Sequence, residues 1–524
     1  MAVNIVPVLI VGAGPTGLAL ALWLTKLGIP VRIIDKNEHM GVGTRAVIVH
    51  ARTLEFYRQV GIADNMVSGG LEISGINLWS CGKKKVRIRI DPIGEYLSPY
   101  PFFLSFPQDL HEKTLVSALA AHNVTVERST TLVRFNQEQN HVEAILKLPD
   151  GAEETVMASY LAGCDGAHST TRNRLGLDFI GGTYEGLFYV ADVTANGPPI
   201  NSDIHIDIDE GDFIGIFPYQ EPSHVRLIGT VQTKANFDDN TITFEEVKGR
   251  AIDHMHITIN QVNWFSTYRV HHRIARQFRV QRVFLLGDAA HIHSPVGGQG
   301  MNTGIGDAVN LAWKIAAVLN NKATSALLDT FEIERAAFAR RLVSTTDRAF
   351  TLIAKHGRFA QWLRTQIVPP ILAWLFKMPI IRRLAFRTLS QIGIHYRMSP
   401  LSVGKADALR GGDRLPWVKI DVTKDNFMPL SSLQWQVHIY GDAKESLINS
   451  CAEHKLSLHV FNWQTTMEKV GLVRNALYLV RPDGYIALAD PSADGAQLTQ
   501  YLQNNNDRGM HATNNTRHSR RQPH

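Results

Sequence analysis

A glycine-rich turn between a buried strand and an apolar helix constrains this chain more than any other feature. Residues 5–11 (Ile-Val-Pro-Val-Leu-Ile-Val) read as a strand buried on both faces, as in a parallel sheet. Gly12-Ala13-Gly14-Pro15-Thr16-Gly17 follows. An apolar helical run from Leu18 to Leu27 comes next, with Gly28 placed to stop it, and then a second buried strand at Val31–Ile34. Gly12 permits the tight turn, Gly14 lets a pyrophosphate approach the backbone, and Gly17 lets the helix pack on the sheet. Pro15 and Thr16 open the helix, where free N–H groups and the dipole favour phosphate. Asp35, followed by Lys36, ends the second strand about twenty residues on, where an acid accepts from a ribose hydroxyl. A bare GxGxxG also occurs in ordinary turns; the strand–turn–helix–strand–acid context is what predicts a dinucleotide site. The motif does not separate FAD from NAD. The acid argues against a 2′-phosphate, hence against NADP, in this crevice.

The 524 residues suffice for about two to four domains and for a core that needs no staples. Three scattered cysteines, Cys81, Cys164 and Cys451, exclude a disulfide scaffold and fit a reducing, cytoplasmic setting. No secretory signal is read, and no apolar run reaches the ~20 residues that span a bilayer. The longest, Ile367 to Phe376, is interrupted by Pro369-Pro370. The net charge of +6 would invite nucleic acid, but its location does not. Residues 351–410 hold ten Lys or Arg against Asp407 alone, and the tail from 504 holds four Arg against Asp507. The remaining chain is mildly acidic, so no nucleic-acid partner is expected. The basic stretch sets its cations among Trp362, Ile371, Leu372, Trp374, Leu375 and Phe376, which reads as an amphipathic linker packed on the dinucleotide domain with solvated charges. Contact with a membrane surface is the minority reading.

Further along, helices fit Arg52 to Gly61 and Gln108 to Ala121, with alternating strands over 123–160. Residues 178–270 alternate polar and apolar, as in an antiparallel sheet with one exposed face. Residues 326–395 are mainly helical, and strand patterns recur from 411, ending in a hairpin around Pro482-Asp483-Gly484. The tail from 504 has too little apolar surface to fold.

A second motif begins with the buried strand Val283-Phe284-Leu285-Leu286 and continues as Gly287-Asp288-Ala289-Ala290-His291. A loop follows with Pro295, Gly297-Gly298-Gln299-Gly300 and Met301-Asn302, then a long helix carrying Asp307, Asn310, Trp313 and Lys314. A strand-end Asp can hold a polyol hydroxyl, and a Gly-rich loop entering a helix can offer N–H groups to an anion. The whole stretch from Arg282 to Lys314 resembles the FAD-dependent aromatic hydroxylases, the single-component monooxygenase family of para-hydroxybenzoate and phenol hydroxylases. The resemblance implies that Asp288, with Gly287, holds the flavin ribityl chain. It also places Pro295, Gly298, Gly300, Met301 and Asn302 beside the isoalloxazine ring.

Cys164-Asp165-Gly166-Ala167-His168-Ser169-Thr170-Thr171-Arg172 is similar to the family's Asp-Gly motif. That similarity implies a place near the FAD pyrophosphate and in NAD(P)H use. Cys164 itself reads as a small core residue. Arg45, by resemblance, lies near the flavin or its reductant, and Gln108, four residues before Glu112, matches a FAD-contacting Gln. Asp35 stands where the family commonly has Glu, and Ser294 where many members have Pro. Gly411-Gly412-Asp413-Arg414-Leu415-Pro416, Arg481-Pro482-Asp483-Gly484-Tyr485 and Ile394 to Leu401 resemble the thioredoxin-like extension and linker of the phenol hydroxylase branch. No Cys-x-x-Cys is present, so packing or homodimerisation suits that domain better than redox work.

The expected class is therefore α/β: a Rossmann-like FAD domain with an inserted antiparallel substrate sheet, a helical linker and a C-terminal thioredoxin-like domain. The expected division is 1–177 for the first FAD part, with a substrate-covering insertion at 70–107. Residues 178–270 form the substrate sheet and 271–345 the second FAD part. The linker is 346–404, the thioredoxin-like domain 405–503 and the disordered tail 504–524. The resemblance implies hydroxylation of a phenolic or polyketide-derived ring through a flavin C4a-hydroperoxide, with O2 and transient NADPH or NADH. Tyr219 and Phe217 are loose candidates for covering the substrate, Tyr219 at the flavin edge with Pro295 and Gly298. For these and for Trp264 and Phe265, core packing is an equal reading. No catalytic base transfers by motif. His271, His272, His291 and His293 do not make a consistent ligand set, so no metal is expected. A flavin-dependent halogenase would need a Trp-x-Trp-x-Ile-Pro motif that is absent. The motifs are also compatible with Baeyer–Villiger oxygenation on the same scaffold and with a flavoprotein that performs no catalysis.

Overall fold

The computed structural model describes residues 5–41, 46–80, 82–90, 96–208, 213–219, 221, 223–231, 243–247, 250–294, 297–354 and 367–505. The chain forms two compact units, Met1–Asn310 with Arg335–Ile394, and Leu311–Glu334 with His395–His524. The boundary between them falls inside one long helix, Gly300–Leu319.

The first unit is built on the strand Val6–Val11. It pairs in parallel with Val31–Ile34 on one side and Glu153–Gly163 on the other. Val126–Glu127 and Val283–Leu285 extend the parallel set at its two flanks. The register positions the chemistry: Val11 lies opposite both Ile34 and Gly163, and Gly163 lies opposite Leu285. Four strands thus end on one line, and Gly12, Asp35, Cys164 and Leu286 leave the sheet side by side. The crossover helix Pro15–Lys26 is buried continuously from Gly17 to Leu24, as its all-round apolar sequence requires. The helix Gln108–Ala120 packs against it.

The antiparallel sheet expected over 178–270 forms around two long strands, Phe179–Asn196 and Thr258–Ala275. It also recruits Gly75–Ser80, Lys83–Arg89 and His291–Ile292. Gly75–Ser80 enters in parallel beside Ile204–Ile208. Such long-range pairing leaves no local periodicity to read. The sheet's core gathers Tyr189, Val193, Ile216, Leu227 and Phe244, with Phe265 packed against them.

The second unit holds a six-stranded mixed sheet, with Gln436–Tyr440 between Ser457–Phe461 and Leu477–Val480. The hairpin expected around Pro482-Asp483-Gly484 joins Leu477–Val480 to Ile486–Asp490. Cys451 is buried in this unit, and burial pushes its thiol up to about 11, which makes it a poor nucleophile. Behind the hairpin lies a buried charge cluster. Glu334 accepts from Lys314 Nζ at 2.9 Å, from Arg481 at 2.8 and 3.0 Å and from the Ser399 hydroxyl at 2.7 Å. Arg481 also donates to Asp483, which accepts from Trp313 Nε1 at 3.1 Å. Burial lowers the Lys314 ammonium to about 8 despite Glu334 beside it. Two cations against two carboxylates leave no net charge in the interior. Removing one partner strands the others without water. Glu334→Ala is therefore expected to destabilise the chain by about 3–5 kcal/mol in urea unfolding. A loss below about 1 kcal/mol would show that the cluster is not coupled to folding.

Candidate active site

The glycine turn meets its neighbours at close range. Gly12 sits at φ 101°, and a Cβ there would run into the Cys164 carbonyl. A Cβ on Gly17 would fall on the Gly12 carbonyl. Gly14 is different: its φ is −76°, and a Cβ there would meet nothing within 4 Å. The packing of the protein thus demands glycine at 12 and 17 but not at 14, where the space is open. Pro15 opens the helix, and the Thr16 side chain reaches across to Gly287 and Gly304. That contact joins the first motif to the second.

Asp35 ties the turn to the second strand. Its carboxylate accepts from Ala13 N at 2.7 Å and from Asn37 N at 2.8 Å, with the Arg128 guanidinium at 3.9 Å. Lys36 next to it is exposed. Asp165, on the neighbouring loop, spends its carboxylate locally. It accepts from the Ser169 hydroxyl at 2.6 Å and from the Thr171 N–H and hydroxyl at 2.9 and 3.0 Å. Gly166 takes φ 76° with open space beside it. Arg172 bridges this loop to the next, donating to the Ala167 and Ala289 carbonyls at 2.8 and 2.9 Å.

Every other residue from Val283 to Ala290 is buried; Asp288 alone in that run is exposed. The Gly287 before it is held by Asp307, which is fully buried. Asp307 accepts from Gly287 N at 3.0 Å, His291 Nε2 at 2.7 Å and Arg335 Nε at 2.6 Å. Burial alone would raise this carboxyl, but Arg335, His291 and the Gly287 N–H outweigh it and hold it below the usual range.

Asn302 clamps the start of the long helix. Its oxygen accepts from His50 N at 2.9 Å and the Thr53 hydroxyl at 2.8 Å, and its amide nitrogen donates to the Ile48 and Gly298 carbonyls. The side chain of Asn302 is therefore fully used in holding the Gly297–Gly300 turn against the segment His50–Thr53. What the turn offers outward is backbone: first-turn N–H groups of a helix have no intrahelical acceptor. Buried polar atoms gather around it. His50 places Nε2 3.1 Å from the Gly297 carbonyl, while its Nδ1, His293 Nε2 and the Ser294 hydroxyl have no partner among the described residues. His293 lies beside Gly300.

The other expected residues are dispersed. Gln108 donates to Glu112 at 2.9 Å, and its own N–H donates to the Ala46 carbonyl. The Tyr219 hydroxyl donates to Asp192 at 2.8 Å, and Arg226 holds the same carboxylate through two bonds of 2.7 Å. Arg226 also donates to the Ala46 carbonyl, which links the antiparallel sheet to the segment after residue 45. Arg45 and Pro295 lie outside the described residues. Met301, on the first turn of the helix, is half-buried. Of the four histidines weighed as ligands, His291 is bound to Asp307 and His271 to Thr183. Among the described residues no group of three His, Cys, Asp or Glu is disposed to hold a metal ion. Sequence reading missed His50, Arg226 and Arg335, because each acts from a distant segment and no motif spans that distance.

The sequence profile of the FAD binding domain family matches residues 5–346. The chain belongs to this family of FAD-dependent aromatic monooxygenases. It is 32% identical to a flavin-dependent monooxygenase of Mycobacteroides abscessus, over 94% of this chain and 99% of that one. It is 30% identical to the 6-methylpretetramide 4-monooxygenase of Streptomyces rimosus, over 95% and 93%. The crystal structure of the anhydrotetracycline hydroxylase from Streptomyces rimosus superposes with a TM-score of 0.77 at 27% identity, over 97% of this chain and 99% of that one. FAD is thus the cofactor of this monooxygenase.

Burial lowers His50 and His293 of the monooxygenase to about 4, so both are neutral at pH 7. In the unfolded chain they titrate near 6.5. Between these values the unfolded state binds more protons, so stability is lost as pH falls from about 6.5 toward 4. The melting temperature is expected to drop through that window, less steeply in His293→Gln. A melting temperature that stays level there would contradict the neutral buried imidazoles.

Proposed function

We propose that this enzyme hydroxylates a phenolic or polyketide-derived aromatic ring, with O2 as the oxygen source and NADPH or NADH as the transient reductant. The observation that carries the reading is the open space at Gly14, on the line where four parallel strands end. A glycine that no atom of the described residues requires, at the N-terminus of a buried helix, suits the close approach of a pyrophosphate. Gly12, Gly14, Pro15, Thr16 and Gly17 would cradle it. Asp35 retains lone pairs for a ribose hydroxyl, with Lys36 beside it in solvent. Asp288, exposed at its turn after Gly287, would receive the ribityl hydroxyls. Gly298, Gly300, Met301 and Asn302 would present backbone N–H groups to the ring edge, with Pro295 in the same loop. Gln108, Arg45, Asp165 and Gly166 complete the set, Asp165 acting by shaping its loop.

Bound FAD supplies the transfer of reducing equivalents to O2 and the activation of the oxygen. The chain supplies position and electrostatics. The helix N-terminus at Gly300 favours negative charge on a bound ring, and Asn302 keeps that terminus in place. His50 and His293, neutral at pH 7, give their single N–H to the Gly297 and Ser294 carbonyls, so the other ring nitrogen of each, without a partner among the described residues, can accept a hydrogen bond without adding charge. The antiparallel sheet would cover the substrate and exclude water, with Arg226 and Asp192 anchoring it to the Ala46 segment. Tyr219 is held by Asp192, and burial raises its hydroxyl well beyond the ordinary phenol range. Tyr219 would therefore act as a wall of the site and not as a base.

Gly14→Ala separates cofactor binding from folding. The native φ suits alanine, so thermal stability of the apo-protein is expected to stay within about 0.5 kcal/mol. FAD affinity is expected to fall at least about tenfold, because the methyl occupies the phosphate approach. Unchanged FAD affinity would refute the cradle. The reaction is tested with the FAD-loaded enzyme and a panel of mono- and polycyclic phenols. A substrate should speed NAD(P)H consumption and gain one atom from labelled O2. Consumption that yields only H2O2 with every phenol would overturn the hydroxylase reading.

A further inference from the structure

Two consecutive helices of the first unit, Val368–Leu375 and Pro379–Leu389, hold large apolar side chains in solvent. Trp374, Ile380 and Leu384 are 63, 70 and 61% exposed, and Ile371 and Met378 are exposed with them. Trp374, Lys377, Met378, Pro379, Ile380 and Arg383 line an open groove of about 680 Å³. Single exposed apolar residues are ordinary; five on adjoining helical turns make a patch.

The charge on the segment that carries this patch has one sign. From Arg348 to Ala406 the sequence contains no Asp or Glu. Lys377, Arg383 and Arg387 are exposed among the apolar side chains. The first of the two helices packs against the strand Lys83–Arg89, the edge strand of the antiparallel sheet. That strand exposes Lys83, Lys84, Lys85 and Arg89, while its Arg87 pairs with Asp203 at 3.0 Å.

We propose that this face docks the enzyme on the surface of an anionic phospholipid bilayer. Trp374, Ile380 and Leu384 enter the boundary between headgroups and acyl chains, and the lysines of the edge strand meet lipid phosphates. A tryptophan and branched aliphatics ringed by Lys and Arg match the layering of such a surface, apolar beneath and anionic above. A second copy of the chain fits less well. A two-fold contact would set each cationic ring against its own image. No helix among the described residues is long and apolar enough to cross a membrane, so the contact is peripheral.

The test uses the full FAD-loaded chain and vesicles of phosphatidylcholine alone or mixed with phosphatidylglycerol at about 7:3. Co-sedimentation is expected with the anionic vesicles only, weakening at least about tenfold from low to high salt. Ile380→Ser with Leu384→Ser, and separately Lys83→Gln, Lys84→Gln and Lys85→Gln together, should each weaken binding by about tenfold or more. Flavin absorbance and melting temperature report whether these variants are folded. Brominated lipid gives a reading that needs neither set: it should quench tryptophan emission of the unaltered chain, and markedly less in Trp374→Phe. No binding at low salt, or binding that neither set of variants weakens, would overturn the proposal. So would a dimer in solution that Ile380→Ser with Leu384→Ser dissociates.

Discussion

The register of the parallel sheet is the constraint on which the rest of this protein depends. Val11 opposite Ile34 and Gly163, and Gly163 opposite Leu285, end four strands together. Residues more than 250 positions apart in the chain, Gly12 and Asp288, thereby share one edge. The register tolerates little error. A one-residue slip would turn the buried side chains of Leu9 or Ile33 to the opposite face, and it would carry Gly12 off the Cys164 carbonyl. That close approach is why the turn needs a residue without a Cβ. Thr16 then touches Gly287 and Gly304, and the two motifs become one surface.

Buried ions hold the pieces that the register brings together. Asp307 gathers Gly287, His291 and Arg335, so the backbone just before the exposed Asp288 is held in place. Glu334, one residue before Arg335, does the equivalent in the second unit with Lys314 and Arg481. A buried pair is weak evidence for added stability, because desolvation offsets attraction. What it supplies is a unique geometry, since any other arrangement leaves a charge unpaired in the interior. A site that must place a cofactor within fractions of an ångström has use for that kind of specificity.

Part of the candidate site is legible in the sequence as short motifs, and the residues of those motifs share a property. Gly12, Gly17, Gly287 and Asp288 lie in short contiguous motifs whose chemistry acts through local backbone shape. Asn302 is a site residue by resemblance, and its side chain is spent on the protein itself, clamping Ile48, Thr53 and Gly298. Asp165 likewise carries a motif whose carboxylate is consumed inside its own loop. Tyr219 was read from its aromatic character, and its hydroxyl belongs to Asp192. Arg226, His50 and Arg335 carried no signal, because their meaning lies in partners dozens or hundreds of residues away.

The sequence by itself determined the family, the cofactor, the parallel βαβ opening and the presence of an antiparallel sheet. The βαβ opening and the antiparallel sheet follow from local rules, namely period of burial, glycine where a turn or close approach needs it and an acid at a strand end, whereas family and cofactor rest on the resemblance of the stretch from Arg282 to Lys314. Only the tertiary structure decided that Lys83–Arg89 joins the antiparallel sheet as its edge. It alone showed that Gly14 faces open space while Gly12 and Gly17 do not, and that His50, His293 and Ser294 keep polar atoms without a partner among the described residues around one loop. The physical reason is the same in each case. A sequence specifies what each segment can bury, but which groups remain unburied or unpaired depends on what folds against them.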